Sequence, residues 1–271
     1  MIALLIFSGV IVFIVYRFQQ EVEESYRYAG RKAAPVKSFI LPTPKVYKEI
    51  LQKYFRYYQR LSVDNKAKFE RRVAQFIYGK RFIPRQVPEV TIEAKVLIAA
   101  SAVQLTFGLP NDYLRFFRRI LVYPNDYYSS ITKRYHKGEV NPRFGMIVLS
   151  WQSFIDGYIQ SNDSKNLGLH EMAHALRLEQ MIRSQEFPPF DEDLLQQFDD
   201  YAHRICTDPS FASQTFFRPY ACTNEHEFFS VAIENFFERP EQFKEEMPDL
   251  YSIVSRLLNQ DPIRLNVPAP R

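Results

Sequence analysis

The sequence predicts an α+β fold that is mainly helical and carries a small β-sheet. Apolar residues recur at helical spacing through most of the chain beyond residue 44. Two short β-branched runs bounded by turn residues, "RILVYP" (Arg119 to Pro124) and "GMIVLSW" (Gly145 to Trp151), interrupt the helices. Helices, a small sheet and helices again is the order of an α+β domain, and no internal repeat competes with it. At 271 residues, 46% apolar and 15% aromatic, the chain is globular rather than disordered or coiled-coil.

The first residues are a different material. Ile2 to Tyr16, "IALLIFSGVIVFIVY", contains no charge. No basic residue precedes the run and no small-x-small cleavage site follows it. That favours a retained transmembrane anchor over residues 1–18 against a cleaved signal peptide. Arg17, Arg27, Arg31, Lys32 and Lys37 all lie downstream, which places the soluble body in the cytoplasm. Residues 19–44 read as a linker closing in "LPTP", and residues 45–271 as the folded domain.

Within that domain one helix is expected over Lys45 to Leu61. A second follows Asp64 as N-cap and runs to Gly79. Thr91 caps a third, "IEAKVLIAASAVQLTF", whose apolar character on most faces makes it a buried central helix. Between the two strands "KGEVNP" reads as a turn. Helices resume after Trp151: through "GLHEMAHALRLE" to about Ser184, from Asp191 to about Ile205, from Thr223 to Phe237, and near Leu250 to Leu258.

The net charge of +4 is spread among acidic residues with no Lys/Arg stripe, so the composition gives no support to nucleic-acid binding. Only two cysteines occur, and the spacing of Cys206 and Cys222 fits no common metal pattern. They read as buried thiols of a reduced compartment.

His170, Glu171 and His174 form H-E-x-x-H. On a helix, side chains four apart point the same way, so both imidazoles can reach one zinc ion. Glu171 lies about 100° round the helix, where it can take a proton from water rather than bind metal. A third protein ligand is needed, and "YACTNEHEFFSVAIENFFERP" (Tyr220 to Pro240) is its source. It offers Glu225, His226, Glu227 and Glu234. Spacing does not choose among them, because Glu227 also fits the third helical position after an Asn224 N-cap. Glu234 falls between phenylalanines, as a partner to a ligand or as a buried structural acid.

From about Leu41 onward the chain resembles the Mlc titration factor A family of zinc-dependent peptidases. The resemblance rests on "GKRF", "VTIEAKVLIAASAVQLTFGL", "ILVYP", "VLSW", "HEMAH", "NEHEFFSVAIENFFERP" and "PDLYSIVSRLLNQDP". The catalytic helix pair is also similar to that of the toxin lethal factor, in which a tyrosine precedes the zinc-binding glutamate by seven residues. The resemblance implies a zincin-like, gluzincin-type peptidase: His170, His174 and Glu227 as zinc ligands, Glu171 as general base and Tyr220 as catalytic tyrosine. It also implies a peptide or protein substrate. A binding module that captures a protein regulator is the rival reading. One departure stands out: where the family pattern continues H-x-L-D, this chain has Arg177. The strand "GMIVLSW" either offers its edge to an extended peptide or is buried and fully paired, and the sequence does not choose.

Overall fold

The structure, a computed structural model, describes residues 43–110, 114–129, 133–159, 164–183, 188–208 and 216–264. The anchor and nearly all of the linker lie outside those residues. Among the described residues, no helix is long and apolar enough to cross a membrane.

The expected first helix is two: α1 (Lys45–Tyr54) and a single turn α2 (Arg56–Gln59). Phe55 between them is extended, which turns its ring into the core against Phe69 and Tyr158. Helix α3 (Val63–Gly79) starts two residues earlier than expected. Ser62, not Asp64, is its N-cap, accepting from the Asn65 N–H, while Asp64 lies in the first turn. Strand β1 (Arg81–Pro84) follows. Helix α4 (Ile92–Thr106) is the buried central helix, capped as expected by Thr91. Its exit at Gly108 leaves no room for a side chain, since a Cβ there would fall 2.2 Å from the Asn259 carbonyl oxygen.

The sheet holds β1, β2 (Arg119–Tyr123), β6 (Met146–Ser150) and β5 (Gly138–Asn141) in the order β1-β2-β6-β5. The first three strands run parallel and β5 pairs antiparallel to β6. A hairpin of β3 (Tyr127–Ser129) and β4 (Arg134–His136) stands between β2 and β5. One expectation is corrected here and one open choice is decided. "KGEVNP" is not a turn but the β5 edge strand, because pairing with β6 overrides its Gly, Asn and Pro content. For the same reason "GMIVLSW" has no free edge: β6 is flanked by β2 and β5.

Helix α5 (Trp151–Ile159) leads to α6 (Leu167–Arg183), which carries the histidine motif. Helix α7 (Glu192–Thr207) is capped by Asp191, as the sequence indicates. A 3-10 turn (Pro219–Thr223) then enters α8 (Glu225–Glu238), followed by α9 (Pro240–Glu246) and α10 (Pro248–Leu258). Helices α6 and α8 pair closely, with α4 on the other side of α6. Phe198, Phe228, Phe229 and Phe236 fill the space around α8 with fully buried rings. The cysteines are not free thiols. Cys206 of α7 and Cys222 of the 3-10 turn form a disulfide, and both residues are exposed. Their distance in sequence hid the fact that α7 and the turn meet.

Candidate active site

Asn166 starts the site by capping α6, accepting from the Leu169 N–H at 3.0 Å. That phase turns His170 and His174 toward α8, with their Nε2 atoms 3.0 Å apart. Asn224 does the same for α8: its Oδ1 accepts from the Glu227 N–H at 3.0 Å. Only the backbone of Glu227 is used in the cap, so its carboxylate is free to face α6. Its Oε2 lies 3.2 Å from His170 Nε2 and its Oε1 3.4 Å from His174 Nε2.

These three residues are the group, among those described, whose ligand atoms converge closely enough to hold one metal ion. The imidazole nitrogens are 3.0 Å apart and lie 3.2 and 3.4 Å from one or other Glu227 oxygen, near the separation of about 3.3 Å between ligands of a tetrahedral ion with bonds near 2.0 Å. Glu227 Oε2 is buried and makes no aligned hydrogen bond, despite its short distance to His170. Two imidazole nitrogens and a carboxylate are the donor set of a metal site. Glu225 is exposed, His226 is half-buried outside the converging group, and Glu234 sits one layer behind the triangle. The geometry therefore separates four candidates that lie close together on one stretch of sequence.

As protein groups alone, the three are strongly coupled. Burial opposes the charge on His170, but the Glu227 and Glu234 carboxylates outweigh it and lift its pKa to about 10. Burial likewise opposes the charge on Glu227, and the two imidazoles hold its carboxyl well below the ordinary range.

Glu171 is 5% exposed, and burial, with Glu227, Glu234 and Glu139 nearby, pushes its pKa up to about 7. Strand β5 presses against it: a Cβ on Gly138 would meet Glu171 Oε1 at 2.4 Å and Cγ at 2.6 Å. Nothing in the sequence around Gly138 signals this contact, because it depends on β5 being a strand.

Tyr220 is 48% exposed at the mouth of the site, its ring centroid 6.4 Å from that of His170. Burial of its inner part and the Glu227 charge push its phenol up to about 12, so it remains a proton donor at neutral pH. Behind the triangle, Glu234 is 2% exposed and reaches His170 Nδ1 at 3.5 Å. Of its two sequence readings, this contact favours the carboxylate that steadies a ligand.

Arg177 is buried, and Asp199 of α7 pairs with it at 2.5 Å. Its guanidinium also faces the Phe229 ring at 5.9 Å. The acid missing from position 177 is thus present in space, on another helix, and the inverted charge has a partner.

Over 209 residues the chain is 28% identical to Mlc titration factor A of Pectobacterium atrosepticum, covering 70% of this chain and 77% of that one. The same-named protein of Yersinia pseudotuberculosis is 27% identical over 208 residues, 70% and 76% of the two chains. An uncharacterised protein of a Synechocystis strain is 24% identical over 244 residues, 83% and 87% of the two chains. Residues 31–258, which contain every side chain of the site, match the glucose-regulated metallo-peptidase M90 family, and the chain belongs to that family.

Proposed function

We propose that the protein is a zinc-dependent peptidase in which His170, His174 and Glu227 hold the ion and Glu171 is the general base. The observation that supports this most is the convergence of three ligand atoms beside a buried carboxylate whose pKa lies near 7. When bound, zinc supplies Lewis acidity toward water and the scissile carbonyl. Glu171 accepts the proton of the attacking water and passes it to the leaving amine, a task suited to a group poised near neutral pH. Tyr220 donates its phenolic hydrogen to the developing oxyanion. The third ligand, a glutamate on a second helix, makes the set gluzincin-like.

The β5 strand is an outer strand of its sheet and lies against α6, so an extended substrate can add to it by main-chain hydrogen bonds. It also shapes the base. Gly138→Ala is expected to displace the Glu171 carboxylate and lower kcat about 100-fold, as a misplacement of about 1 Å does. Zinc content should stay near wild type while the melting temperature falls, because the Cγ displaced belongs to a buried side chain and lies close to the α6 backbone. Steady-state kinetics beside metal analysis checks this.

The membrane anchor and the cytoplasmic orientation belong to this proposal as well. The flanking charges favour that orientation, while the Cys206–Cys222 bond favours an oxidising compartment. The rival reading is a module that captures a protein regulator, which the relatives' name, titration factor, suggests for them. The test is to supply zinc, measure ions per chain, and follow cleavage of a complex peptide mixture by mass spectrometry. One zinc per chain with defined new termini supports the peptidase. A folded chain that takes up no zinc removes it.

A further inference from the structure

Arg218 is assigned nothing by the metal-site pattern, yet it touches both arms of the proposed machinery. Its Nη2 donates to Glu234 Oε2 at 2.7 Å, and that same oxygen lies 3.5 Å from His170 Nδ1. Its Cζ sits 5.7 Å from the centroid of the Tyr220 ring. Its Nη1 donates to the Ser164 carbonyl, in the segment that leads into α6. Ser164 is tied in turn to α8, its hydroxyl donating to Asn235 Oδ1 at 2.8 Å. Pro219 follows Arg218 and holds its backbone extended, with φ −61° and ψ 148°. The side chain is thereby aimed inward at the start of the 3-10 turn.

We propose that Arg218 is a positioning residue. With one guanidinium it sets the ring of Tyr220 and, through Glu234, the imidazole of His170. A planar, forked donor that also stacks on aromatic rings suits both tasks, and a lysine provides neither the fork nor the stacking face. Glu234 is almost fully buried, and the one carboxylate oxygen that accepts from Arg218 also faces His170 Nδ1, while Nε2 of the same ring faces Glu227. The coupling between the tyrosine and the metal ligand runs through a residue that contacts neither substrate nor ion. The tyrosine half of this proposal rests on the peptidase reading. The histidine half rests only on metal binding.

The test uses the full chain with Arg218→Gln and Arg218→Lys, each alone and combined with Tyr220→Phe or Glu234→Gln. Zinc affinity is read by competition with a chromophoric chelator, hydrolysis as kcat and KM, and folding as a melting temperature. Arg218→Gln is expected to weaken zinc about 10- to 100-fold, and to add little once Glu234 is already Gln. It should lower kcat about 100-fold with little change in KM, and add only a few-fold once Tyr220 is already Phe. Arg218→Lys should keep part of the zinc affinity and little of the tyrosine effect. If Arg218→Gln does not fold, the same cycles on Arg218→Lys decide. Wild-type zinc affinity and kcat in the variants overturn the proposal, and so do losses that multiply fully with both partner substitutions. If the wild-type chain binds zinc and cleaves nothing, the peptidase reading fails and the zinc cycle alone decides for or against Arg218.

Discussion

Glu171→Gln is expected to lower kcat for peptide hydrolysis on the order of 1000-fold while one zinc per chain is retained. Gln fills the same space against Gly138, so the loss reports the base and not the packing. Partner capture surviving in this variant, with no hydrolysis lost because none existed, would favour the binding module. The same substitution carries a stability signature. Burial raises the pKa of Glu171 from an ordinary 4.5 to about 7, so the folded chain holds this proton more tightly than the unfolded one. Its contribution is fully present below about pH 4.5 and is lost as the pH rises through 7. Gln cannot ionise and escapes that loss. With zinc stripped by a chelator, the variant should be the more stable by about 3 kcal/mol at pH 8 and close to wild type at pH 4. Chemical denaturation at the two pH values measures the difference. A wild-type chain as stable as the variant at both pH values would show that the carboxylate is solvated.

Glu227→Ala should weaken zinc by more than about 100-fold, beyond the range for residues that only support a ligand. Glu225→Ala and His226→Ala, the two residues just before it, should leave zinc content unchanged. Metal analysis after dialysis against a chelator of graded strength separates the three. Tight zinc in the Glu227 variant would move the third ligand elsewhere on α8, with Glu234 the next residue within reach of His170.

His170, Glu171 and His174 were legible because a single helix decides where they point. The carboxylate that joins them was not legible from spacing, since it depends on the phase of α8 and on how α8 packs against α6. Asn224 sets that phase, and Glu225, His226 and Glu227 differ only in it. The central helix α4 was readable from its apolar faces and its Thr91 cap. Strands β1 and β5 were not, for they hold Pro84 and Gly138, and a sequence window scores both residues against a strand. Both strands exist through pairing with a neighbour, and outer strands tolerate such residues. Arg218 gave one indirect signal. A carboxylate at 234 among phenylalanines demands a partner, but only the packed structure says which one.

The Cys206–Cys222 bond has a consequence in chain entropy. It closes a loop of sequence separation 16 between α7 and the turn that presents Tyr220, and a closure of that length removes about 3 kcal/mol of freedom from the unfolded chain. Arg218 fastens the start of that turn and the bond fastens its end, so the tyrosine is tethered on both sides. In an oxidising compartment the tether is covalent and is inherited from folding. In a reducing one the same turn keeps only non-covalent fastenings, Arg218 and the packing of Ala221 and its neighbours against α8.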